Sequence, residues 1–284
     1  MKKTIIYLLI AASQNCLSEE LTIIEKLAYN GTIANQKIFM SLTTRDNIIF
    51  GDYFYEKYKT PIHLQGKIEN SEFSLREKTA SSYAHINAKE INGKLTGTWT
   101  NGKNTHKLYA TPQSRPYKSL IKEVILLNSG ESEKTIRIHF NDKKIQEIMA
   151  TTLTQQTLLI FEDFTFDGHP DMRILELEAG GNSSFIFFDY NPIQRKFTLS
   201  PPEIQKISSP KVQHYRKSIL SLSKDGCCRY YASKLTPDEV RTAQYDYTTG
   251  SGSEKATNKT TKKSTEIKIS KDYFEKNYIN TEDF

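Results

Sequence analysis

The sequence predicts an all-β protein made of antiparallel meanders, in which two β-modules pack as a sandwich or as a propeller-like body. Apolar and polar residues alternate with a period of two in many short segments, as at Ile38, Met40 and Leu42. Turn residues separate these segments at short, regular intervals, which is typical of antiparallel sheets. Aromatic residues make up 11% of the chain, mostly 16 Tyr and 14 Phe, and both types favour strands.

The N-terminal β-module is predicted over residues 19–112. Asn92 and Asn101 each precede a glycine between alternating segments, and Asn-Gly pairs predict tight hairpin turns. Helical periodicity in this module is confined to residues 19–29. The proline-containing segment 112–116 predicts the boundary with the next module.

The C-terminal β-module is predicted over residues 113–247. Its Phe-rich segment 184–190 predicts a buried strand, and residues 218–232 predict a closing hairpin. A weak helical pattern covers residues 237–244, with Thr236 placed to act as the N-cap. From residue 248 onward, Thr, Ser, Gly and Lys replace almost all apolar side chains. Such a segment buries too little surface to offset its ordering entropy, so residues 248–284 are predicted to form a disordered polar tail.

The N-terminus predicts export from the cytoplasm. Lys2 and Lys3 precede an apolar run over residues 4–12, and small residues follow it, as in a secretory signal peptide. Residues 1–18 are assigned to that peptide, which predicts a periplasmic or secreted protein; a buried N-terminal strand is the alternative. Lipid anchoring at Cys16 is a second, less favoured alternative, because Asn15 stands where a small residue is expected. No other segment has the length of a transmembrane helix.

The remaining cysteines are adjacent, at Cys227 and Cys228. They allow a vicinal disulfide, a bridge from Cys16 to one of them, or two β-strand cysteines of which one points inward and the other outward. The third alternative is slightly favoured by the strand pattern. None of the three cysteines has the spacing of a metal site.

Charge and motifs exclude several function classes. The chain carries 39 Lys and Arg and 33 Asp and Glu, with a formal charge of +6. The basic residues are scattered among acids and form no stripe, which argues against a nucleic-acid partner. The sequence holds no phosphate loop, nucleotide-binding fingerprint, nucleophile elbow or zinc signature. We therefore predict a protein that is not an enzyme.

A candidate calcium loop covers residues 163–171. Oxygen-bearing side chains stand at its first, third, fifth and ninth positions, and Gly168 at the sixth allows a sharp bend. Calcium prefers six to eight hard oxygen ligands, and clustered carboxylates need a compensating cation. The predicted ligands are the side chains of four residues and the carbonyl of a fifth: Asp163, Thr165, Asp167, Asp171 and His169.

Two other interpretations of this loop stay open. Ile174 occupies the twelfth position, where an EF-hand has its bidentate Glu, so a further ligand has to come from elsewhere, with Glu162 and Glu176 as candidates. A polar β-turn that carries three surface acids is one alternative. The second is a glycan-cleaving site, because two acids in a turn can act as general acid and base.

The same residues resemble a family of bacterial envelope proteins. Its members carry a strand of the form D-x-N-F-D-G-Y-x-D followed by Y-D-P-x-x-x-x-F, and the matching parts here are residues 161–172, 189–192 and 196–197. Residues 221–230 are similar to the family's Ser/Gly hairpin near the end of the domain. The family includes periplasmic immunity proteins that bind calcium and inhibit peptidoglycan-hydrolase effectors of a type IV secretion system. They are likened to periplasmic lysozyme inhibitors. In this chain Thr165 replaces Asn and His169 replaces Tyr, and the inhibitors' Ser-Gly-x-x-Tyr loop has no match.

The resemblance implies an extracytoplasmic, calcium-stabilised binding protein that acts as an inhibitor or immunity protein. The implied partner is a protein, namely a peptidoglycan hydrolase of the cell wall. The alternative is a structural or surface-assembly protein of the envelope without inhibitory activity. The β-scaffold would present loops for binding, and calcium would hold residues 163–171 rigid.

Overall fold

The computed structural model describes residues 21–78, 83–129 and 132–281, and strands dominate them. All pairings between neighbouring strands are antiparallel except one, which confirms the predicted all-β, antiparallel fold class. Within the described ranges no helix is long and apolar enough to cross a membrane. The predicted signal peptide and Cys16 lie outside the described residues.

The first eight strands form a closed barrel in which each strand pairs with the next and β8 returns to pair with β1. Their bounds are β1 (Leu21–Ile33), β2 (Gln36–Arg45), β3 (Ile48–Tyr55), β4 (Ile62–Glu69), β5 (Glu72–Glu77), β6 (His85–Ile91), β7 (Lys94–Thr100) and β8 (Thr105–Pro112). The predicted turn at Asn92 and Gly93 connects β6 to β7, and both residues have positive φ, 52° and 74°. Closure gives each of these eight strands a paired neighbour on both sides.

Inward-facing side chains fill the barrel. Ile38, Met40 and Leu42 alternate along β2 and are almost completely buried, as the period-two pattern predicts. Neighbouring strands approach closely at Gly97 of β7. A Cβ there would lie 2.1 Å from the carbonyl oxygen of Asn87 and 2.5 Å from Cα of Ala88, so only glycine fits.

Strand β1 joins the barrel to the rest of its twelve-stranded sheet. Its first five residues, 21–25, pair in parallel with β12, and its last residues, 29–33, pair with β8. The prediction of a helix over residues 19–29 is therefore wrong for the described residues of that range. β1 is hydrogen-bonded to strands on both sides, and this tertiary pairing overrides its weak helical pattern.

The central part of the protein extends the barrel sheet and adds a second layer. A 3-10 turn (Tyr117–Ser119) leads into β9 (Ile121–Ser129), β10 (Glu133–Phe140), β11 (Ile145–Thr151), β12 (Thr157–Glu162), β13 (Asp171–Ala179), β14 (Asn182–Asn191) and β15 (Lys196–Leu199). β12 to β15 continue from β1 in one sheet, and β9 to β11 form a separate three-stranded sheet. The two sheets share a core in which Ile136 and Ile138 lie with Phe161 and Met172.

The C-terminal part is a six-stranded meander. Its strands are β16 (Lys211–Gln213), β17 (Ser218–Asp225), β18 (Arg229–Leu235), β19 (Glu239–Asp246), β20 (Ser251–Asn258) and β21 (Ser264–Ile269). The short helix α1 (Pro202–Gln205) precedes the meander, and a 3-10 turn (His214–Arg216) follows β16. After β21 come α2 (Lys271–Phe274) and a π-helical turn (Glu275–Ile279). Residues 239–244 thus belong to β19, and the helix predicted over residues 237–244 is wrong. Thr236 does accept a hydrogen bond from the Glu239 N–H, but in a turn before a strand.

The predicted disordered tail is also wrong over most of its length. β20 and β21 complete the meander, and the segment after them folds back so that Phe274 is fully buried against Tyr245. Buried Glu254 accepts hydrogen bonds from the hydroxyls of Tyr273 and Tyr278. A few aromatic anchors and strand pairing of Thr and Ser residues thus supply the order that a composition argument misses.

Cys227 and Cys228 form a disulfide with each other. Both lie in the turn between β17 and β18, so the favoured prediction of one inward and one outward β-strand cysteine is wrong. The vicinal disulfide was the first of the alternatives that the sequence left open.

Candidate functional site

The candidate calcium loop connects β12 to β13, directly after the buried end of β12. Asp163 is 3% exposed, and its two carboxylate oxygens accept the backbone N–H groups of Asp167 (3.1 Å) and Gly168 (2.9 Å). Gly168 has φ 87°, the left-handed conformation in which glycine is favoured. The Asp163 side chain therefore stabilises the turn through two hydrogen bonds to its backbone.

Asp171 closes the other side of the loop. It is fully buried, and its Oδ2 accepts the N–H groups of Phe164 (3.1 Å) and Thr165 (3.0 Å). Its Oδ1 accepts the N–H of Tyr190 in β14 (2.9 Å), which ties the loop to the adjacent strand. Phe164 packs edge-on against Phe187 and anchors the loop in the core.

The other predicted ligands lie nearer the surface. Asp167 is exposed, and its Oδ1 accepts the His169 N–H (2.8 Å) and lies 3.3 Å from His169 Nδ1. The His169 ring stacks on Tyr190 at 5.6 Å. Thr165 Oγ1 is shielded from solvent and finds no hydrogen-bond partner among the described residues. All five predicted ligands therefore lie in one short loop, and one of them is an orphaned buried oxygen.

The electrostatics of the loop favour a cation. Burial raises the pKa of Asp163, the negative charge of Asp167 raises it further, and the backbone hydrogen bonds only partly oppose this. Burial likewise raises the pKa of Asp171 well above its usual range, the Tyr190 and Thr165 N–H groups oppose the rise, and the charge of Asp163 adds to it. His214 lowers the pKa of Asp163 in part, and a divalent cation would supply further positive charge to both carboxylates.

The oxygen atoms of the predicted ligands are of the types that calcium prefers, but they do not point toward one common position. Carboxylate, hydroxyl and carbonyl oxygens are the hard ligands that calcium prefers. However, within the described part of the chain no three His, Cys, Asp or Glu side chains are arranged to hold a metal ion. Asp163 and Asp171 turn oxygens toward backbone N–H groups, while Asp167 turns toward His169. Binding would require small rotations of these side chains, and carboxylates have spare lone pairs for it.

Glu162, one candidate for the additional ligand, is engaged elsewhere. Its side chain is 2% exposed, and its Oε2 lies 2.8 Å from Nη2 of Arg173, whose side chain is also 2% exposed. The other carboxylate oxygen of Glu162, Oε1, lies 3.4 Å from His214 Nε2 and 3.9 Å from Lys26 Nζ. Burial alone would raise the pKa of Glu162, but the charges of Lys26 and Arg173 and the neighbouring His214 outweigh it and lower the pKa to about 2.

This ionic cluster joins three parts of the protein behind the loop. Lys26 lies in β1 of the barrel, Glu162 and Arg173 lie in the central sheet, and His214 precedes β17. Sequence analysis gave His214 and Lys26 no role, because their partners are far away in the chain and no local pattern marks them. The Arg173 guanidinium also packs over the Phe185 ring, 4.9 Å from its centroid.

The loop also contacts the connection between the barrel and the central sheet. The Gly168 carbonyl accepts the Arg115 N–H at 3.1 Å. Two residues later Tyr117 stacks in parallel on Phe161 of β12, with ring centroids 4.6 Å apart. The position of the loop is thereby linked to the segment that leaves the barrel.

Comparisons with protein-family models, with curated proteins and with solved structures found no match for this chain. The geometry of the loop and its surroundings therefore carries the functional argument.

Proposed function

We propose that this protein is an extracytoplasmic, calcium-stabilised binding protein that inhibits a cell-wall hydrolase. The observation that carries the proposal is the loop of residues 163–171, where Asp163 and Asp171 are buried, accept backbone hydrogen bonds and have raised pKa values. A structural calcium ion would stabilise this arrangement. The ion would order the loop and take no part in chemistry.

The two stretches that carry the family resemblance support this proposal because they contact each other. Asp171, at the end of the first stretch, accepts the backbone N–H of Tyr190, at the start of the second. His169 stacks on Tyr190, and Tyr190 packs edge-on against Phe197. Residues that are spaced along the sequence as in the immunity proteins thus form one packed unit around the loop.

The way in which calcium would act on binding follows from the neighbours of the loop. Residues 163–171 hold Arg115 through the Gly168 carbonyl, and they hold β14 through Tyr190. Ordering the loop therefore fixes the neighbouring connections on the surface of a rigid β-scaffold. Preformed loops lose less entropy on binding, which increases affinity for a protein partner.

An inhibition assay tests the proposal with the full chain. Turbidity loss of a peptidoglycan suspension is followed with lysozyme-like hydrolases, including one encoded beside this protein, in the presence of calcium or of a chelator. We expect inhibition of at least one hydrolase in calcium, and weaker inhibition after chelation. Asp167→Asn should reproduce the effect of chelation, whereas Asp225→Asn, which changes an exposed acid at the end of β17, should not.

If no hydrolase is bound or inhibited, the proposal is wrong. If inhibition is unaffected by chelation and by Asp167→Asn, the protein is an inhibitor, but its loop has no calcium-dependent role. Turnover of a glycan by the pure protein that survives chelation and is lost in Asp167→Asn would instead indicate an enzyme.

A further inference from the structure

A second candidate site lies at one end of the barrel, where a cavity of about 610 Å³ opens. It lies beside the turns that follow β2, β4 and β6, and the segment with Pro116, Lys118 and Ser119 lines its outer side. Ligand sites are often found in the mouths of β-barrels, and this volume is within the range of small-molecule pockets.

Three carboxylates from different strands and turns face this cavity: Glu25 of β1, Asp46 after β2 and Glu90 of β6. None of them makes an ion pair with a described residue. Glu25 accepts one hydrogen bond, from the Tyr117 N–H at 2.7 Å, which fixes its position at the wall. Lys118 is the one basic residue that lines the cavity within the described part of the chain. The cavity therefore has an excess of negative charge.

A buried tyrosine adds a polar group to the same cavity. Tyr29 lines the cavity and is only 4% exposed. The charges of Glu25 and Glu90 act on this phenol, so its oxygen lies on their side of the cavity. A phenol at the wall of a cavity can donate a hydrogen bond to a ligand there or accept one from it.

The remaining walls are apolar and aromatic, with Leu27, Leu42, Ile68 and Phe73. Such a lining binds a hydrocarbon body, while carboxylates and aromatic rings together attract an ammonium group. The three acids do not converge on one point as metal ligands would, since no metal-type cluster exists among the described residues. We propose that the barrel mouth binds a small organic ammonium compound, with Glu25 and Glu90 pairing its charge and Tyr29 donating or accepting a hydrogen bond.

The pH dependence of binding follows from the groups that face Glu25. Burial raises the pKa of Glu25 to about 7, the Tyr117 N–H and Lys118 oppose the rise, and Glu90 adds to it. Asp46 and the phenols of Tyr29 and Tyr117 complete its surroundings. An ammonium ligand prefers the carboxylate form, so its affinity should increase as the pH rises through about 7 and level off above.

The experiment uses calorimetry on the full chain with matched probes. Three amines (2-phenylethylamine, hexylamine and cyclohexylamine) are titrated at pH 8 and pH 5.5. The neutral 2-phenylethanol and the anionic phenylacetate serve as controls of similar shape. We expect one-site binding of at least one amine, weaker binding at pH 5.5, weaker binding of the alcohol and none of the anion.

Variants then assign the site. Glu25→Gln keeps an acceptor for the Tyr117 N–H but removes the charge, and it should weaken amine binding by about tenfold or more. Tyr29→Phe, which removes only the hydroxyl from the cavity wall, should weaken binding. Glu178→Gln, which changes an exposed acid of β13, should leave binding unchanged.

Three results would overturn the proposal. The first is that none of the three amines binds saturably. The second is a loss of specificity: phenylacetate or 2-phenylethanol binds as tightly as the amine, or Glu25→Gln binds the amine as tightly as Glu178→Gln does. The third is calcium binding that Glu25→Gln abolishes, which would make the cavity a metal site. Because the cavity is separate from residues 163–171, Asp167→Asn should leave amine binding unchanged, and this distinguishes the two proposed sites.

Discussion

Replacing Glu25 with Gln should stabilise the protein at alkaline pH and leave its stability unchanged in acid. In the folded protein, burial raises the pKa of Glu25 from its usual 4.5 to about 7, and it accepts the Tyr117 N–H in either protonation state. Gln accepts the same hydrogen bond and never ionises. The variant therefore isolates the free energy of placing a charge at this wall of the cavity.

The sign and magnitude follow from the two pKa values. Between pH 4.5 and 7 the folded chain keeps a proton on Glu25 that the unfolded chain has lost, so stability falls as the pH rises through this interval. At about 1.4 kcal/mol per pKa unit the total loss is about 3 kcal/mol at most. Below pH 4 Glu25 is protonated in the folded and in the unfolded chain, so no stability is lost. Above pH 7 the loss of stability has reached its full value.

Urea unfolding at pH 4 and pH 8.5 measures this effect. The single tryptophan, Trp99, provides the fluorescence signal, since its indole N–H donates to buried Glu77 inside the barrel module. We expect equal free energies of unfolding for Glu25→Gln and the parent protein at pH 4. At pH 8.5 the variant should be more stable by up to about 3 kcal/mol. The control Glu178→Gln should match the parent at both pH values. A variant that is less stable than the parent at pH 8.5 would refute the reasoning.

Three further changes test the packing of the fold. Glu162→Gln leaves buried Arg173 and half-buried Lys26 without their anion and should lower the free energy of unfolding by about 3–5 kcal/mol. An effect below about 1 kcal/mol would contradict the ionic cluster. Gly97→Val forces a side chain against the carbonyl of Asn87 and should prevent folding of the barrel, which the loss of cooperative Trp99 unfolding would show. Phe274→Ala should cost about 3–5 kcal/mol and make residues beyond 250 sensitive to protease, whereas equal protease resistance would mean that the C-terminal segment is not packed.

Local patterns in the sequence predicted much of the strand structure. Ile38, Met40 and Leu42 alternate and point into the barrel, and Asn92 with Gly93 forms the predicted hairpin turn. Both predictions depend only on neighbouring residues, namely on the pleat of a strand and on the tolerance of Asn and Gly for positive φ. The candidate calcium loop was equally local, and its five residues do lie together.

Local sequence patterns could not predict which strands pair when they lie far apart in the chain. Nothing near residues 21–25 shows that they pair with β12, more than 130 positions away, and barrel closure depends on β8 returning to β1. The ionic cluster joins Lys26, Glu162 and His214 across a similar span. The C-terminal strands were missed for a different reason, because Thr and Ser residues there are held by strand pairing and a few buried aromatics rather than by apolar content.

The measurement that tests the central proposal most directly is calorimetric titration of calcium into the full, chelator-treated chain, with Asp167→Asn and Asp225→Asn as a matched pair. Asp167→Asn keeps an acceptor for the His169 N–H but removes a charge from the loop, while Asp225 lies exposed at the end of β17. We expect one calcium site in the parent and in Asp225→Asn, and much weaker binding in Asp167→Asn. Absence of calcium binding in the parent, or equal binding in both variants, would contradict the proposal that residues 163–171 form a calcium site.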